Sequence, residues 1–157
     1  KALEKLYQDK RVRAIGVCNF HIHHLEKLLE ETTIVPAMNQ IELHPLMNQE
    51  EIRTFCKEKG IQVEAWGPLM QGKADLEAPL LVELSKKYKK SPAQIILRWH
   101  VQHGVLAIPK SVTPSRIREN IDLFDFELTS EDMAKIDGMN ENKRLSADPD
   151  TMMNGFE

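Results

Sequence analysis

VLAIPKSVTPSR, residues 105–116, is the stretch of the sequence that decides the fold. Its first part, Val105–Pro109, is a short apolar run of the kind that forms a buried β-strand. Thr113 is a favourable helix N-cap and Pro114 a favourable first helical residue, so a helix begins here and runs towards Asn120. A buried strand followed within a few residues by a helix is the repeating unit of parallel α/β proteins.

The same alternation of strand and helix extends upstream. Three more apolar runs are short and are followed by polar or turn residues, as buried parallel strands are. These runs are Val12–Val17, Ala37–Leu43 and Ile61–Trp66. Apolar residues at helical spacing predict helices over His23–Glu31, Gln49–Lys59 and Ala78–Gln102. The sequence therefore predicts a parallel sheet covered by helices.

Local signals mark where these helices begin and end. Ser91 and Pro92 are an N-cap and a first-turn proline, so they divide the longest helical stretch into two helices. Gly60 takes the C′ position that closes the helix before it. The segment Thr129–Asp132 opens a last helix, and the tail from Arg144 to Glu157 is interpreted as irregular.

Two architectures fit this pattern. A doubly wound sheet of four or five strands suits a chain of 157 residues as one domain. Half of a (β/α)8 barrel suits the regular repetition, although whole barrels have about 250 residues. Periodicity does not decide between them. The sequence contains no GxGxxG, GxxxxGK[ST] or GxSxG motif, which weakens the doubly wound nucleotide-binding alternative.

Composition excludes several classes of protein. A formal net charge of -3 argues against a general nucleic-acid binder, which needs a basic face. No apolar run approaches the roughly 20 residues of a membrane helix, and no signal peptide opens the chain. The two cysteines, Cys18 and Cys56, form no CxxC motif, so we expect free thiols in a reduced, cytoplasmic protein.

The first residues have the pattern of a helix interior. Ala2, Leu3, Leu6 and Tyr7 repeat at helical spacing, and no capping residue precedes them. We interpret this as an element whose beginning is absent, and therefore expect a missing N-terminal part.

Polar or aromatic pairs accompany each predicted strand. Cys18-Asn19 follows the first, Asn39-Gln40 lies within the second, Trp66-Gly67 ends the third and Lys110-Ser111 follows the fourth. In both architectures function lies at the carboxyl ends of the strands, so these residues predict a site on one rim. Each also has a purely structural interpretation, for example Asn19 as a helix cap, Gln40 as a satisfied amide and Trp66 as a core aromatic.

The strongest physical signal is the concentration of cations at the helix that begins near Thr113. A helix N-terminus carries partial positive charge and favours acids, yet Lys110, Arg116 and Arg118 gather here. Free backbone N–H groups together with Lys and Arg form a phosphate site. A solvated basic turn is the alternative.

Histidines give weaker signals. His21, His23 and His24 resemble part of a metal site, but no carboxylate or cysteine is placed in the sequence to complete one. We therefore interpret them as exposed residues at a helix start and predict no metal site. His100 and His103 share a helical face near Trp99 and are explained by packing.

Several segments together resemble the second half of the aldo-keto reductases. They are RAIGVCNF, PAMNQIELHP, EAWGPLMQGK, PAQIILRW and IPKSVTPSRIRENIDLFDFELTSEDMAKID. Within that family, AWGPL followed by QGK looks most like the bacterial branch of 2,5-diketo-gluconate, glyoxal and methylglyoxal reductases. The resemblance implies a (β/α)8 barrel in which residues 1–157 are the C-terminal portion, strands five to eight with their helices and tail.

The resemblance also implies a binding site for NADP(H). Cys18, where the family usually has Ser, would hold the nicotinamide carboxamide with Asn19 and Gln40, and Trp66 would stack on the ring. A thiol donates a weaker hydrogen bond than a hydroxyl. The pyrophosphate side would be lined by Gly67, Pro68 and Leu69. The 2′-phosphate and its ribose would be held by Lys110, Ser111, Arg116, Val112 and Thr113, with Glu119 and Asn120 near the adenine.

The family's catalytic Tyr, Lys, Asp and His belong to the first half of the barrel. Tyr7 and Tyr88 both lie on predicted helices outside that context, so the resemblance assigns no catalytic residue to this chain. We expect the complete protein to be a monomer that reduces small aldehydes or ketones with NADPH, and the fragment alone to be inactive. The alternative is a non-catalytic NADP-binding regulatory protein or a truncated one.

Overall fold

A computed structural model describes residues 1–72 and 76–152 of the chain, with the side chain of Met152 excluded. Its strands are β1 (Val17–Cys18), β2 (Met38–Glu42), β3 (Gln62–Trp66) and β4 (Leu106–Ala107). They form one sheet in the order β1-β2-β3-β4. β1 and β2 are parallel, with Val17 opposite Asn39 and Cys18 opposite Gln40.

Helices connect these strands, so the predicted α/β fold is confirmed. Their bounds are α1 (Ala2–Gln8), α2 (Ile22–Glu31), α3 (Glu50–Glu58), α4 (Pro79–Tyr88), α5 (Pro92–Gln102), α6 (Pro114–Ile121), α7 (Ser130–Asp137) and α8 (Pro149–Met152). A short 3₁₀ helix, Met70–Gly72, follows β3. The strand order contains no reversal, whereas a doubly wound sheet reverses at its switch point.

Two predicted strands are longer than the real ones. The run Val12–Val17 contributes only its last residue to β1, and Val105–Pro109 contains a β4 of two residues. Apolar sequence predicts burial, but a strand extends only where a neighbour pairs with it. Gly16 marks the close approach of the chain to β2, because a Cβ built there would lie 2.9 Å from the carbonyl oxygen of Met38.

The cap signals were more accurate than the strand limits. The hydroxyl of Ser91 accepts from the backbone N–H of Gln94 at 3.3 Å, and Oε1 of Gln94 accepts from the N–H of Ser91 at 3.0 Å, so α5 begins where predicted. Gly60 has φ +70° after α3. The prediction of an irregular tail from Arg144 is wrong for Pro149–Met152, which is helical, because Asp148 and Pro149 supply their own start signal. Residues 153–157 of that tail and Lys73 of the QGK motif lie outside the described residues.

The chain divides into two compact units, each with its own buried side chains. The first comprises Lys1–Ile41, Gln49–Glu64 and Ala147–Glu157, and Leu25, Ile52 and Cys56 are among its buried residues. The second comprises Glu42–Asn48 and Ala65–Ser146. Its buried residues include Leu81, Leu84, Ile95, Ile96, Trp99 and Ile136.

A buried carboxylate joins α4 and α7 in the second unit. Asp132 is fully buried and accepts hydrogen bonds from Lys87 at 2.6 Å, from Thr129 at 2.9 Å and from the hydroxyl of Tyr88. The same hydroxyl accepts from the backbone N–H of Thr129 at 3.1 Å. The hydroxyl of Tyr88 therefore has a structural role, as both a donor and an acceptor of hydrogen bonds.

His100 and His103 are explained by packing, as predicted. His100 is fully buried on α5, with Nδ1 2.8 Å from the carbonyl oxygen of Ile96 and Nε2 3.1 Å from that of Leu43. Both imidazoles meet the indole of Trp99 edge-on. No helix within the described ranges combines the length and hydropathy needed to span a membrane.

Candidate cofactor site

The ends of β1 and β2 bring two of the predicted residues together in the first unit. The Cys18 thiol donates to Oε1 of Gln40 over 3.7 Å, and Nε2 of Gln40 donates to Glu64 over 2.6 Å. Desolvation of the sulfur, followed by the negative charge of Glu64, raises the pKa of Cys18 above its ordinary value of 9.0. The result is a neutral thiol beside an oriented amide.

The neighbouring amides have different positions. Asn19 has φ +58° and donates its backbone N–H to the carbonyl of Gln40 at 2.8 Å. Asn39 is fully buried and bonds both ways with the backbone of Phe20, donating at 2.9 Å and accepting at 3.3 Å. Because successive strand residues point to opposite faces, Asn39 is structural and only Gln40 reaches Cys18.

A cavity of about 450 Å³ opens beside β1 in the first unit. Its lining contains Cys18, Asn19 and Phe20 after the strand, His24 and Lys27 from α2, and Pro149 from the tail, with Leu28 and Glu31 completing it. Two of the three residues predicted for the carboxamide thus share one cavity.

The residues after β3 form a tight turn in the second unit. Gly67 has φ +62°, a conformation that favours glycine, and its carbonyl accepts from the N–H of Met70 at 2.8 Å. Pro68 is buried, while Trp66 and Leu69 are half-buried. The turn leaves part of the indole accessible for stacking.

The predicted phosphate segment lies at the start of α6. Lys110, Val112, Thr113 and Arg116 are exposed, and the first turn of the helix contains no acidic residue. Thr113 occupies the N-cap position as predicted, but its side chain caps nothing. Its backbone N–H instead donates to the hydroxyl of Ser111 at 3.2 Å.

A second cavity, of about 980 Å³, adjoins this segment in the same unit. Lys110, Ser111 and Asn120 supply polar groups to a lining that is otherwise mostly apolar. Arg116 is not part of that lining, and Glu119 faces the start of α5, where it accepts from the hydroxyl of Ser91. The structure therefore brings Lys110, Ser111 and Asn120 together in this cavity and leaves Arg116 and Glu119 outside its lining.

A buried acidic group that the sequence interpretation missed lies at the end of β2. Glu42 and His44 are both buried, with His44 Nε2 3.1 Å from Oε1 of Glu42. The carboxylate also accepts from the backbone N–H of Leu145 at 2.6 Å and from the hydroxyl of Ser146. Burial raises the pKa of Glu42, but the bonds from Ser146, Leu145 and His44 outweigh it, so the pKa lies below 4.5.

The interpretation of the histidines at the start of α2 is corrected by the structure. Asp150, which follows them by more than a hundred residues, supplies the carboxylate that the local sequence lacks. Its oxygens lie 3.0 Å from Nδ1 of His21, 3.2 Å from Nε2 of His23 and 3.2 Å from Nε2 of His24. His21 is half-buried, so the three are not simply solvated side chains.

Comparison with known proteins supplies the family. A model of the aldo/keto reductase family matches residues 1–141. The chain belongs to this family. The matched range contains every residue predicted above for NADP(H), from Cys18 to Asn120, whereas Asp150 lies beyond it.

Similar aldo/keto reductases include two curated bacterial enzymes. Glyoxal reductase of Bacillus subtilis is 54% identical over 153 residues, covering 98% of this chain and 55% of that protein. Methylglyoxal reductase DkgA of Escherichia coli is 46% identical over 151 residues, covering 96% of this chain and 55% of that protein. The chain thus spans about half the length of the curated relatives it matches.

A solved structure has the same backbone arrangement. The crystal structure of a mutant of Gox0644 in complex with NADPH has a TM-score of 0.91 and 42% sequence identity, over 96% of this chain and 55% of that one. The likeness in both sequence and structure confirms the family suggested by the motifs.

Proposed function

We propose that the protein carrying this chain reduces aldehydes and ketones to alcohols with NADPH. In this proposal residues 1–157 form strands five to eight of a (β/α)8 barrel. The unreversed strand order and the coverage of about half of each relative support that placement.

The observation that carries the proposal is the charge distribution at α6. Lys110 and Arg116 are exposed beside a helix N-terminus whose first turn has no acid, and among the described residues neither has an ion-pair or hydrogen-bond partner. Such cations repel the positive end of the helix and are stabilised when an anion lies among them. A 2′-phosphate fits this donor set, and Ser111 adds a hydroxyl.

The remaining residues divide by unit. In the first, Cys18, Asn19 and Gln40 would hold the nicotinamide carboxamide, and Gln40 offers an amide already oriented by Glu64. In the second, the half-buried Trp66 would stack on the ring, and Gly67, Pro68 and Leu69 would line the pyrophosphate. Val112 and Thr113 would contact the phosphate and ribose, with Glu119 and Asn120 near the adenine. NADPH, when bound, supplies the hydride.

We assign no catalytic acid to this chain. Tyr88 gives its hydroxyl to Asp132 and Thr129, and Tyr7 lies on α1 with 41% of its surface exposed. Neither residue lines either of the two cavities described above. The proton donor is proposed to come from the part of the barrel that this chain does not span.

Small dicarbonyl compounds are the proposed substrates. The two bacterial relatives described above are a glyoxal reductase and a methylglyoxal reductase, and identity to them is 54% and 46%. Two adjacent carbonyl groups make one of them a ready hydride acceptor, so a small unhindered site suffices.

The test is NADPH oxidation by the protein that carries this chain, with methylglyoxal as the substrate. Replacing Lys110 and Arg116 together by Ala should raise KM for NADPH at least about tenfold and leave KM for NADH nearly unchanged, since charged hydrogen bonds contribute about 1.5–3 kcal/mol each. Lys86→Ala, which removes an exposed charge from α4 in the same unit, is the control and should retain the preference. Equal losses for both cofactors would show that these residues do not bind the 2′-phosphate.

A further inference from the structure

We propose that His21, His23, His24 and Asp150 form a binding site for a divalent transition-metal ion, with Zn²⁺ as its reference ligand. Their ligand atoms, three imidazole nitrogens and a carboxylate oxygen, all lie within 4.8 Å of one another. Among the described residues, this group meets the requirement of a metal site for three or more His, Cys, Asp or Glu side chains with their ligand atoms close together.

The donor set is one that zinc uses. Neutral imidazole and carboxylate are standard zinc ligands, and a tetrahedral site with bonds of about 2.0–2.1 Å separates its ligand atoms by about 3.3 Å. The Asp150 carboxylate lies 3.0 Å from His21 through Oδ2, and 3.2 Å from His23 and 3.2 Å from His24 through Oδ1. Asp150 thus lies at the ligand-to-ligand distance of a tetrahedral site from each ring, and because all the ligand atoms lie within 4.8 Å of one another, small side-chain rotations would close them around an ion.

The position of the proton on each imidazole determines the order in which the four ligands bind the ion. Nδ1 of His24 accepts the backbone N–H of His21 at 3.1 Å, so in the present arrangement its Nε2 carries the proton and points at Asp150. The rings of His21 and His23 can carry their proton on the nitrogen that faces away from Asp150, so these two rings and Asp150 bind the ion first. His24 joins as the fourth ligand when the His21 N–H bond opens and the proton moves to Nδ1.

Access and chain connectivity favour a metal at this position. The side chains of His23 and Asp150 are 61% and 43% exposed, so an ion reaches the site from solvent. Asp150 belongs to α8, whereas the histidines begin α2, and 129 positions separate His21 from Asp150. An ion bound here would fix α8 to the start of α2.

An ion at this site would fix one wall of the cavity in the first unit. Pro149 and His24 both line the 450 Å³ cavity that contains Cys18, and Pro149 precedes a proposed ligand. An ion would hold Pro149 in place and order that side of the cavity. The site takes no part in the proposed reduction, so either proposal can fail without the other.

Cobalt(II) is the probe, because its visible absorption reports a four-coordinate site with nitrogen ligands. The metal-free protein that carries this chain should bind one equivalent of cobalt, and zinc should displace it. His23→Gln and Asp150→Asn should each weaken cobalt binding at least about tenfold, as the loss of one ligand in a four-ligand site requires. His103→Gln, which removes a histidine paired with Asp137 in the second unit, should leave the affinity unchanged.

Thermal unfolding of the unaltered protein gives an independent measurement. Zinc should raise Tm, because an ion that binds only the folded state stabilises it, and the increase should vanish in Asp150→Asn. Circular dichroism verifies that each variant is folded. The proposal is overturned if the unaltered protein binds no cobalt, if the variants bind it with equal affinity, or if His103→Gln lowers the affinity as much as His23→Gln does. In the first case the three rings only pair with the Asp150 carboxylate.

Discussion

Gln40 donates from Nε2 to Glu64 over 2.6 Å, and this bond leaves Oε1 of Gln40 facing the Cys18 thiol. Glu64 is therefore a positioning residue for the proposed carboxamide site. Glu64→Ala should raise KM for NADPH and NADH alike by about three- to tenfold, because a charged hydrogen bond contributes about 1.5–3 kcal/mol and part of it is recovered from water.

The equal effect on both cofactors separates this residue from Lys110 and Arg116, since NADPH and NADH share the nicotinamide carboxamide. Gln62→Ala alters an exposed side chain of the same strand and serves as the control. A loss confined to NADPH would contradict a role for Glu64 at the nicotinamide end.

The two cysteines should differ in reactivity. Cys18 is exposed and Cys56 is fully buried, so iodoacetamide should modify only Cys18 in the folded protein. Because its pKa lies above 9.0, modification of Cys18 should be slow at neutral pH and accelerate as pH rises. Desolvation is the larger cause of the raised pKa of Cys18, and Glu64→Gln should speed the reaction by removing the second cause, the nearby negative charge. Peptide mass spectrometry against time measures both rates, and preferential modification of Cys56 would contradict the structure.

Features that depend on neighbouring residues were predictable from the sequence. The starts of α5 and α7 follow from Ser91-Pro92 and Thr129, because a cap needs only the next three residues. The end of α3 at Gly60 was predictable for the same reason, because a C′ glycine depends only on the residues next to it. The clustering of polar residues at the ends of β1 and β2 was also predictable, because parallel strands place their carboxyl ends on one edge of the sheet.

Features that depend on register or on distant chain were not predictable. Pairing of Gln40 with Glu64 requires knowing which β3 residue lies beside β2, and apolar runs leave that register open. Asp150 meets His21 across 129 positions, a separation at which no local pattern applies. Glu42 likewise binds Ser146 across 104 positions.

Asp132 should be more sensitive to substitution than an exposed acidic residue of the second unit. Asp132→Asn removes the charge that Lys87 and the Tyr88 hydroxyl share, and should lower the free energy of unfolding by about 2 kcal/mol. Tyr88→Phe should lower it by about 1 kcal/mol. Glu131→Gln, which breaks a surface pair with Lys135, should change it by less than about 0.5 kcal/mol. Urea unfolding gives the three values, and equal values for Asp132→Asn and Glu131→Gln would show that the buried bonds add nothing.

His100 should make stability depend on pH between 6.5 and 4. Burial lowers its pKa to about 4, against the opposing effect of the carbonyls of Ile96 and Leu43. Within that window the unfolded chain binds a proton at this imidazole and the folded chain does not, so stability falls as pH falls, by about 3 kcal/mol in all. His100→Gln removes the titrating group and should flatten that part of the curve, at a constant loss of stability from the altered core. Unfolding free energies measured across the window, with NMR titration of the His100 ring, decide the matter. An unchanged slope in His100→Gln would mean that another group titrates there.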